Sequence, residues 1–284
     1  MTLSESYHRL RKDLEAIYDL RESASIADLV LTFTTGMDKG ARLVHAHRTL
    51  EDQQEETLAA LHKELLAGRP VQYVIGEAWF SGMPFFVDER VLIPRPETDE
   101  LVEWASKVWG TRSSGAPRIL DIGTGSGCIA IALKKKLPMA WIMAIDKSTG
   151  ALEVAMQNAK TNLADIEFRQ IDFLEPVSRG TLPIFDLIIS NPPYIPTKDK
   201  KGMSANVIEH EPHMALFVEN EDPLVFYRSI VDFGKTNLSS GGMIFCEIHE
   251  EMGSETVALF GSMRHQHVEL KSDMQGKERM LGMF

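Results

Sequence analysis

Ile119-Leu120-Asp121-Ile122-Gly123-Thr124-Gly125-Ser126-Gly127-Cys128-Ile129-Ala130 is a short apolar run, a turn with three glycines at alternate positions, and the opening of an apolar helix. A strand that runs through a glycine turn into a helix is the first unit of a parallel α/β sheet, and its turn lets a ligand approach the backbone closely. The dinucleotide fingerprint needs Gly-x-Gly-x-x-Gly, and here its last position is Cys128, so a nicotinamide cofactor is the weaker reading. No lysine followed by Ser or Thr closes the loop, which excludes a nucleotide-triphosphate P-loop.

On both sides of this stretch, strand and helix patterns alternate. A helix is expected around Leu101 to Val108, strands at Arg118 to Ile122 and Trp141 to Ile145, and helices at Cys128 to Lys136 and Ala151 to Asn162. Further strands are expected near Ile166 to Arg169, at Phe185 to Ser190 and at Met243 to Ile248, with helices at Pro223 to Thr236 and Met252 to Phe260 and extended ends at His267 to Leu270 and Glu278 to Met283. Such alternation implies an α/β fold, Rossmann-like, with a mainly parallel sheet covered on both faces. Upstream the period is helical: Tyr7, Leu10, Leu14, Ile17 and Tyr18 share a face, then Ile26, Leu29, Val30 and Phe33, then Leu58, Leu61, Leu65 and Leu66. Residues 1–75 therefore read as a small helical bundle, 76–94 as a β-hairpin connector broken at Ser81-Gly82, and 95–284 as the α/β domain.

The 284 residues suffice for about two domains. Hydrophobic residues make up 44% and charged residues 25%, which excludes disordered and low-complexity classes. Lys+Arg 30 against Asp+Glu 41 gives a net charge of -11, so a broad phosphate-tracking surface is not expected. Cys128 and Cys246 both sit in apolar segments and offer neither a disulfide framework nor a zinc cluster. With no basic-then-apolar leader and no stretch of about 18 apolar residues, a cytoplasmic, membrane-free protein is expected.

Chemistry gathers at the strand ends. Gly123, Thr124, Gly125, Ser126 and Gly127 form a cradle, and Asp146, which ends the next strand, is placed to accept hydrogen bonds from the two hydroxyls of a ribose. Asp172 and Phe173 can read the amino group and the ring face of an adenine. Most specific is Asn191-Pro192-Pro193-Tyr194 at the end of a buried strand: two prolines remove backbone donors, so the Asn191 side-chain oxygen and the Pro192 carbonyl are left to accept the two N–H groups of a planar NH2, with Tyr194 stacking on its plane. Lys134-Lys135-Lys136 occupies a last helical turn, where cations complement the helix dipole. His210, His213, His265 and His267 lack a completing ligand set, and no metal is expected.

With these residues in place the chain resembles the class I methyltransferases that use S-adenosylmethionine to alkylate an amino or amide nitrogen. The tetrad is shared by enzymes acting on adenine, on guanine in ribosomal RNA and on protein glutamine. The choice comes from Gly68-Arg69-Pro70-Val71-Gln72-Tyr73-Val74-Ile75-Gly76 and Val91-Leu92-Ile93-Pro94-Arg95-Pro96-Glu97-Thr98-Asp99-Glu100, which resemble the release factor glutamine methyltransferase (PrmC/HemK) family, a likeness that runs on to Lys277-Glu278-Arg279. The resemblance implies that the helical domain docks substrate and that Gly123, Gly125, Gly127 and Asp146 hold S-adenosylmethionine, with Phe173 at the adenine and Asn191 between the two ligands. It further implies that Asn191, Pro192, Pro193 and Tyr194 bind the glutamine amide of a Gly-Gly-Gln motif in a peptide chain release factor; separately, a monomer is expected. The chain departs from the family pattern at Phe217-Val218-Glu219-Asn220-Glu221-Asp222-Pro223, and at Phe173, which is often Trp in relatives. The alternative is methylation of an exocyclic amine in DNA or ribosomal RNA, which would want a basic target-recognition region. Glu97 and Thr98 are read either as the lip of the cofactor site or as the cap of the following helix.

Overall fold

The computed structural model describes residues 1–112, 115–263 and 267–284. Two compact units result, Met1–Glu77 with Ser204–His210, and Ala78–Met203 with Glu211–Phe284.

The first unit carries α1 (Leu3–Leu14), α2 (Leu20–Thr35), α3 (Lys39–Val44), α4 (Asp52–Leu66) and α5 (Val71–Ile75). Thr2 and Glu5 form a capping box that starts α1. Asp19 accepts from the Arg21 and Glu22 amides to start α2, which Gly36 ends at φ +68. Leu10, Leu14, Ile26, Val30, Leu58, Leu61 and Leu65 bury together as the sequence period predicts. The expected face of α2 is turned, however. Ala27 and Leu31 are fully buried, whereas Leu29 and Phe33 are exposed, because the stripe that meets α1 and α4 runs along Ile26, Ala27, Val30 and Leu31.

The second unit opens with β1 (Glu77–Phe80) and β2 (Met83–Phe86), paired across Ser81 and Gly82, both at positive φ, as a two-residue hairpin turn requires. There follow α6 (Pro96–Arg112), β3 (Arg118–Ile122), α7 (Cys128–Lys136), β4 (Trp141–Asp146), α8 (Thr149–Thr161), β5 (Glu167–Gln170), α9 (Pro176–Arg179) and β6 (Phe185–Ser190). Beyond the tetrad come β7 (Ile195–Pro196), a 3-10 turn, α10 (Ala205–His210) in the first unit, then α11 (His213–Leu216) and β8 (Phe217–Val218), which pairs with β7. The chain ends with α12 (Val225–Asn237), β9 (Leu238–Glu247), α13 (Gly253–Phe260), β10 (Val268–Ser272) and β11 (Glu278–Met283).

Seven strands form one sheet in the order β10-β11-β9-β6-β3-β4-β5. The strands from β9 to β5 are parallel, and β11 runs antiparallel to both β9 and β10. Strand alternation sends Ile119, Ile142, Leu187 and Phe245 to a core under α6, α7 and α8, and Leu120, Met143, Ile188 and Ile244 to a core under α12 and α13. The α/β class with a mainly parallel sheet is thus the observed one. Cys128 and Cys246 lie in opposite cores as free thiols, and burial pushes Cys128 up to about 12. Among the described residues no helix is long and apolar enough to cross a membrane.

Strand order places the site. From β3 the chain proceeds through β4 to β5 on one side, while β6 and β9 lie on the other, so the connections diverge at the carboxyl ends of β3 and β6. In open parallel sheets that divergence opens the ligand crevice.

Candidate functional site

A cavity of about 440 Å³ opens at this switch point, lined by the loops that leave β3, β4, β5 and β6. The glycine loop after β3 is tied to β4: the Gly123 and Thr124 amides donate to the Ile145 carbonyl at 2.9 and 3.0 Å, and the Gly125 amide donates to Asp146 Oδ2 at 3.0 Å. Gly123 and Gly125 take φ +73 and +54, and a Cβ on either would meet open space, so the backbone is bare towards the cavity. Gly127 is different and is not among the lining residues: a Cβ there would stand 3.1 Å from Ala155 Cβ and 3.2 Å from Ile131 Cδ1. Its lack of a side chain lets α7 pack close to α8.

Asp146 ends β4 with Oδ1 accepting from the Ser148 amide at 2.9 Å, and the two oxygens keep lone pairs for a ligand's hydroxyls. Burial raises its pKa, against the backbone donors that lower it. Asp172 and Phe173 also line the cavity. Asp172 is held from two sides, by the Leu174 amide at 3.1 Å and by Lys147 Nζ at 2.7 Å. Phe173 sets its ring edge-on to Phe233 with centroids 5.4 Å apart, and the Arg179 guanidinium lies 5.3 Å from its centre.

The three cations on the wall are committed. Arg90 binds Asp88 and Glu153, Arg95 binds the buried Glu211 at 2.5 Å, and Lys147 binds Asp172. Thr124 and Ser126 complete the loop's lining. A phosphate would therefore have to break an ion pair to find a cation here, whereas a nucleoside without phosphates fits as the wall stands.

Asn191 follows β6 directly and reaches the cavity with Pro193; Pro192 and Tyr194 stand outside the lining. Asn191 Nδ2 donates to Thr98 Oγ1 at 3.0 Å, so its oxygen remains available as an acceptor. Thr98, nearly completely buried in the first turn of α6, donates in turn to Glu247 Oε2 at 2.6 Å, and the Tyr194 hydroxyl donates to Glu247 Oε1 at 2.9 Å. Ser190 Oγ donates to the Ile122 carbonyl at 2.7 Å and locks the ends of β6 and β3 together.

Three acids of this neighbourhood escaped the sequence reading. Asp121 is fully buried beneath the glycine loop, takes the Thr124 hydroxyl at 2.6 Å, has no donor to its other oxygen among the described residues, and is pushed by burial up to about 7. Glu247 closes an apolar strand, and Glu211 takes the Ile93 amide at 3.3 Å besides Arg95. The signal was available in each case as a carboxylate inside an otherwise apolar or proline-flanked run, since such groups are buried only with partners.

The lysine run is structural: Lys134 donates to the Ala140 carbonyl at 2.7 Å, and Lys136 pairs with Glu103. Among the described residues no group of three or more His, Cys, Asp or Glu could hold a metal ion; His265 lies outside the described residues. The departing segment 217–223 contributes Phe217, Val218, Glu219 and Asp222 to the cavity wall.

Two family models match the chain, the PrmC N-terminal domain over residues 5–76 and the Methyltransferase small domain over residues 110–217. The chain is 41% identical to the release factor glutamine methyltransferase of Flavobacterium psychrophilum over 94% of either chain, and 38% identical to that of Bacteroides thetaiotaomicron over 96% of either chain. Among solved structures it is similar to a methyltransferase from Pyrococcus furiosus, with a TM-score of 0.51 at 16% identity, covering 72% of this chain and 89% of that one, a likeness in fold.

Proposed function

The chain belongs to the release factor glutamine methyltransferase family, and from that premise we propose that it transfers a methyl group from S-adenosylmethionine to the side-chain amide nitrogen of the glutamine in the Gly-Gly-Gln motif of peptide chain release factors. We place it in the cytoplasm, as a monomer that meets its substrate through the helical residues 1–75.

The cavity fits the cofactor on its own chemistry. S-adenosylmethionine, when bound, supplies a methyl group on a sulfonium centre and carries no phosphate. The wall offers it a bare glycine loop, an acid at Asp146 for the ribose, Asp172 and Phe173 at the base, and no cation that is not already paired among the described residues.

One observation carries the reading: an asparagine whose donor end is tied back to Thr98, leaving its oxygen as the free acceptor, lines that cavity and is followed by two prolines. An amide nitrogen is a poor nucleophile because its lone pair is delocalised into the carbonyl. Asn191 Oδ1 and the Pro192 carbonyl accept its two hydrogens, raise its electron density and aim it, so that orientation and electrostatics supply what basicity lacks. Tyr194 supports the plane of the amide. No histidine lines the cavity among the described residues, and the amide's surplus proton leaves to water.

Asn191→Ala tests this. Turnover on a release factor should fall by about 100-fold or more, the scale of losing one aligned polar group, while the affinity for S-adenosylmethionine, measured by calorimetry, stays within about threefold of wild type. Retained turnover overturns the assignment of the tetrad.

A further inference from the structure

Glu247 is the last residue of β9, two strands away from the glycine loop, and only 2% of it is exposed. Its backbone is fixed on two sides, by the β11 ladder opposite Met280 and by the Tyr227 hydroxyl, which donates to its carbonyl at 3.0 Å. Its side chain is split between two partners that have nothing to do with one another in sequence. Oε2 takes the Thr98 hydroxyl from α6, and Oε1 takes the Tyr194 hydroxyl from the end of the tetrad.

Burial raises the pKa of Glu247, while the Thr98 and Tyr194 hydroxyls and Arg279 favour its charged form, and as a carboxylate it only accepts hydrogen bonds. The single hydroxyl hydrogen of Thr98 is therefore spent on Glu247, and Thr98 Oγ1 can only accept from Asn191. That sets the polarity of the whole chain: Nδ2 of Asn191 must face Thr98, and Oδ1 must face the cavity. Without the carboxylate, Thr98 is free to donate to Asn191 instead, the amide turns over, and an NH2 group meets the substrate's NH2. Two donors then face each other.

We propose that Glu247 is the positioning residue of the amide site, fixing the orientation of Asn191 through Thr98 and clamping Tyr194 with its second oxygen. This rests on the reading of Asn191 to Tyr194 as the amide-binding loop. Glu247 does not line the cavity. A glutamine in its place keeps the shape but must donate from one end; the Tyr194 hydroxyl still needs an acceptor, whereas Thr98 can accept and pass its own hydrogen to Asn191, so the NH2 turns to Thr98 and the relay inverts.

The test uses the full chain with a release factor as methyl acceptor, and compares Glu247→Gln, Thr98→Val, Thr98→Ser, the Glu247→Gln/Thr98→Val pair and Asn191→Ala. Glu247→Gln and Thr98→Val should each lower kcat by about 10- to 100-fold with the affinity for S-adenosylmethionine within about threefold of wild type. Thr98→Ser, which restores the hydroxyl, should recover most of what Thr98→Val loses. Because both substitutions cut one relay, the double variant should lose little beyond the worse single one, whereas independent structural defects would multiply. Should Glu247→Gln fail to fold, the contrast between Thr98→Val and Thr98→Ser decides. Wild-type kcat in Glu247→Gln or in Thr98→Val, or a fully multiplicative double variant, overturns the relay while an inactive Asn191→Ala leaves the amide-site reading intact. An active Asn191→Ala removes both.

Discussion

Asp121 shows how a single side chain can be legible in identity and illegible in state. The sequence places it second from the end of a buried strand, but does not show that one oxygen takes the Thr124 hydroxyl and the other takes nothing among the described residues. Burial lifts it from 3.8 to about 7, so between about pH 4 and 7 the folded protein holds a proton there that the unfolded chain has released. Its contribution to stability is therefore complete below about pH 4 and lost as the pH rises through about 7. Asp121→Asn removes the titration. The stability of this variant relative to wild type, from denaturant melts, should improve by roughly 2–3 kcal/mol between pH 5 and pH 8; an unchanged difference would show that Asp121 does not titrate in this range. Asp146 and Asn191 were readable because strand ends in a parallel sheet are where ligands bind. Glu247 was not, since its partners Thr98 and Tyr194 come together only when β9 and β6 are neighbours.

The strand-turn-helix element from β3 to α7 was legible almost to the residue, because an apolar run, three glycines and a second apolar run leave little choice. Its glycines divide by role in a way the spacing does not reveal. Gly123 and Gly125 face open space, while Gly127, at φ +82, is boxed in by Ala155 and Ile131. Gly127→Ala combines left-handed strain with a clash against backbone and side chain of α8, and should cost about 2–4 kcal/mol of stability by denaturant unfolding. A loss below about 0.5 kcal/mol, the range of an inert surface change, would contradict the packing role. Elements with weaker punctuation were read less well. The helix expected from Leu101 starts at Pro96, which supplies a ready-made first-turn φ, and the strand expected from Met243 begins at Leu238, where two glycines hid the extended pattern. The stripe of α2 was misjudged because two apolar residues outside the buried face, Leu29 and Phe33, kept the same period.

Taken whole, the molecule joins a helical unit to a sheet whose strand order puts the glycine loop, Asp146 and Asn191 at one switch point, and the alternation of strands and helices foretold that order of events. What no local pattern could foretell is that Ser204–His210 belongs with the amino-terminal helices, since that association spans most of the chain. A net charge of -11 and a cavity whose lining cations are paired among the described residues both favour a protein over a nucleic acid as methyl acceptor. The decisive measurement is methyl transfer from isotopically labelled S-adenosylmethionine, with a purified release factor, the same factor with the Gly-Gly-Gln glutamine replaced, duplex DNA and ribosomal RNA offered in parallel, followed by peptide and nucleoside mass spectrometry. One methyl group on that glutamine, absent from the replaced factor and from both nucleic acids, is the predicted result; label on a nucleobase, or on the factor at another residue, would contradict it.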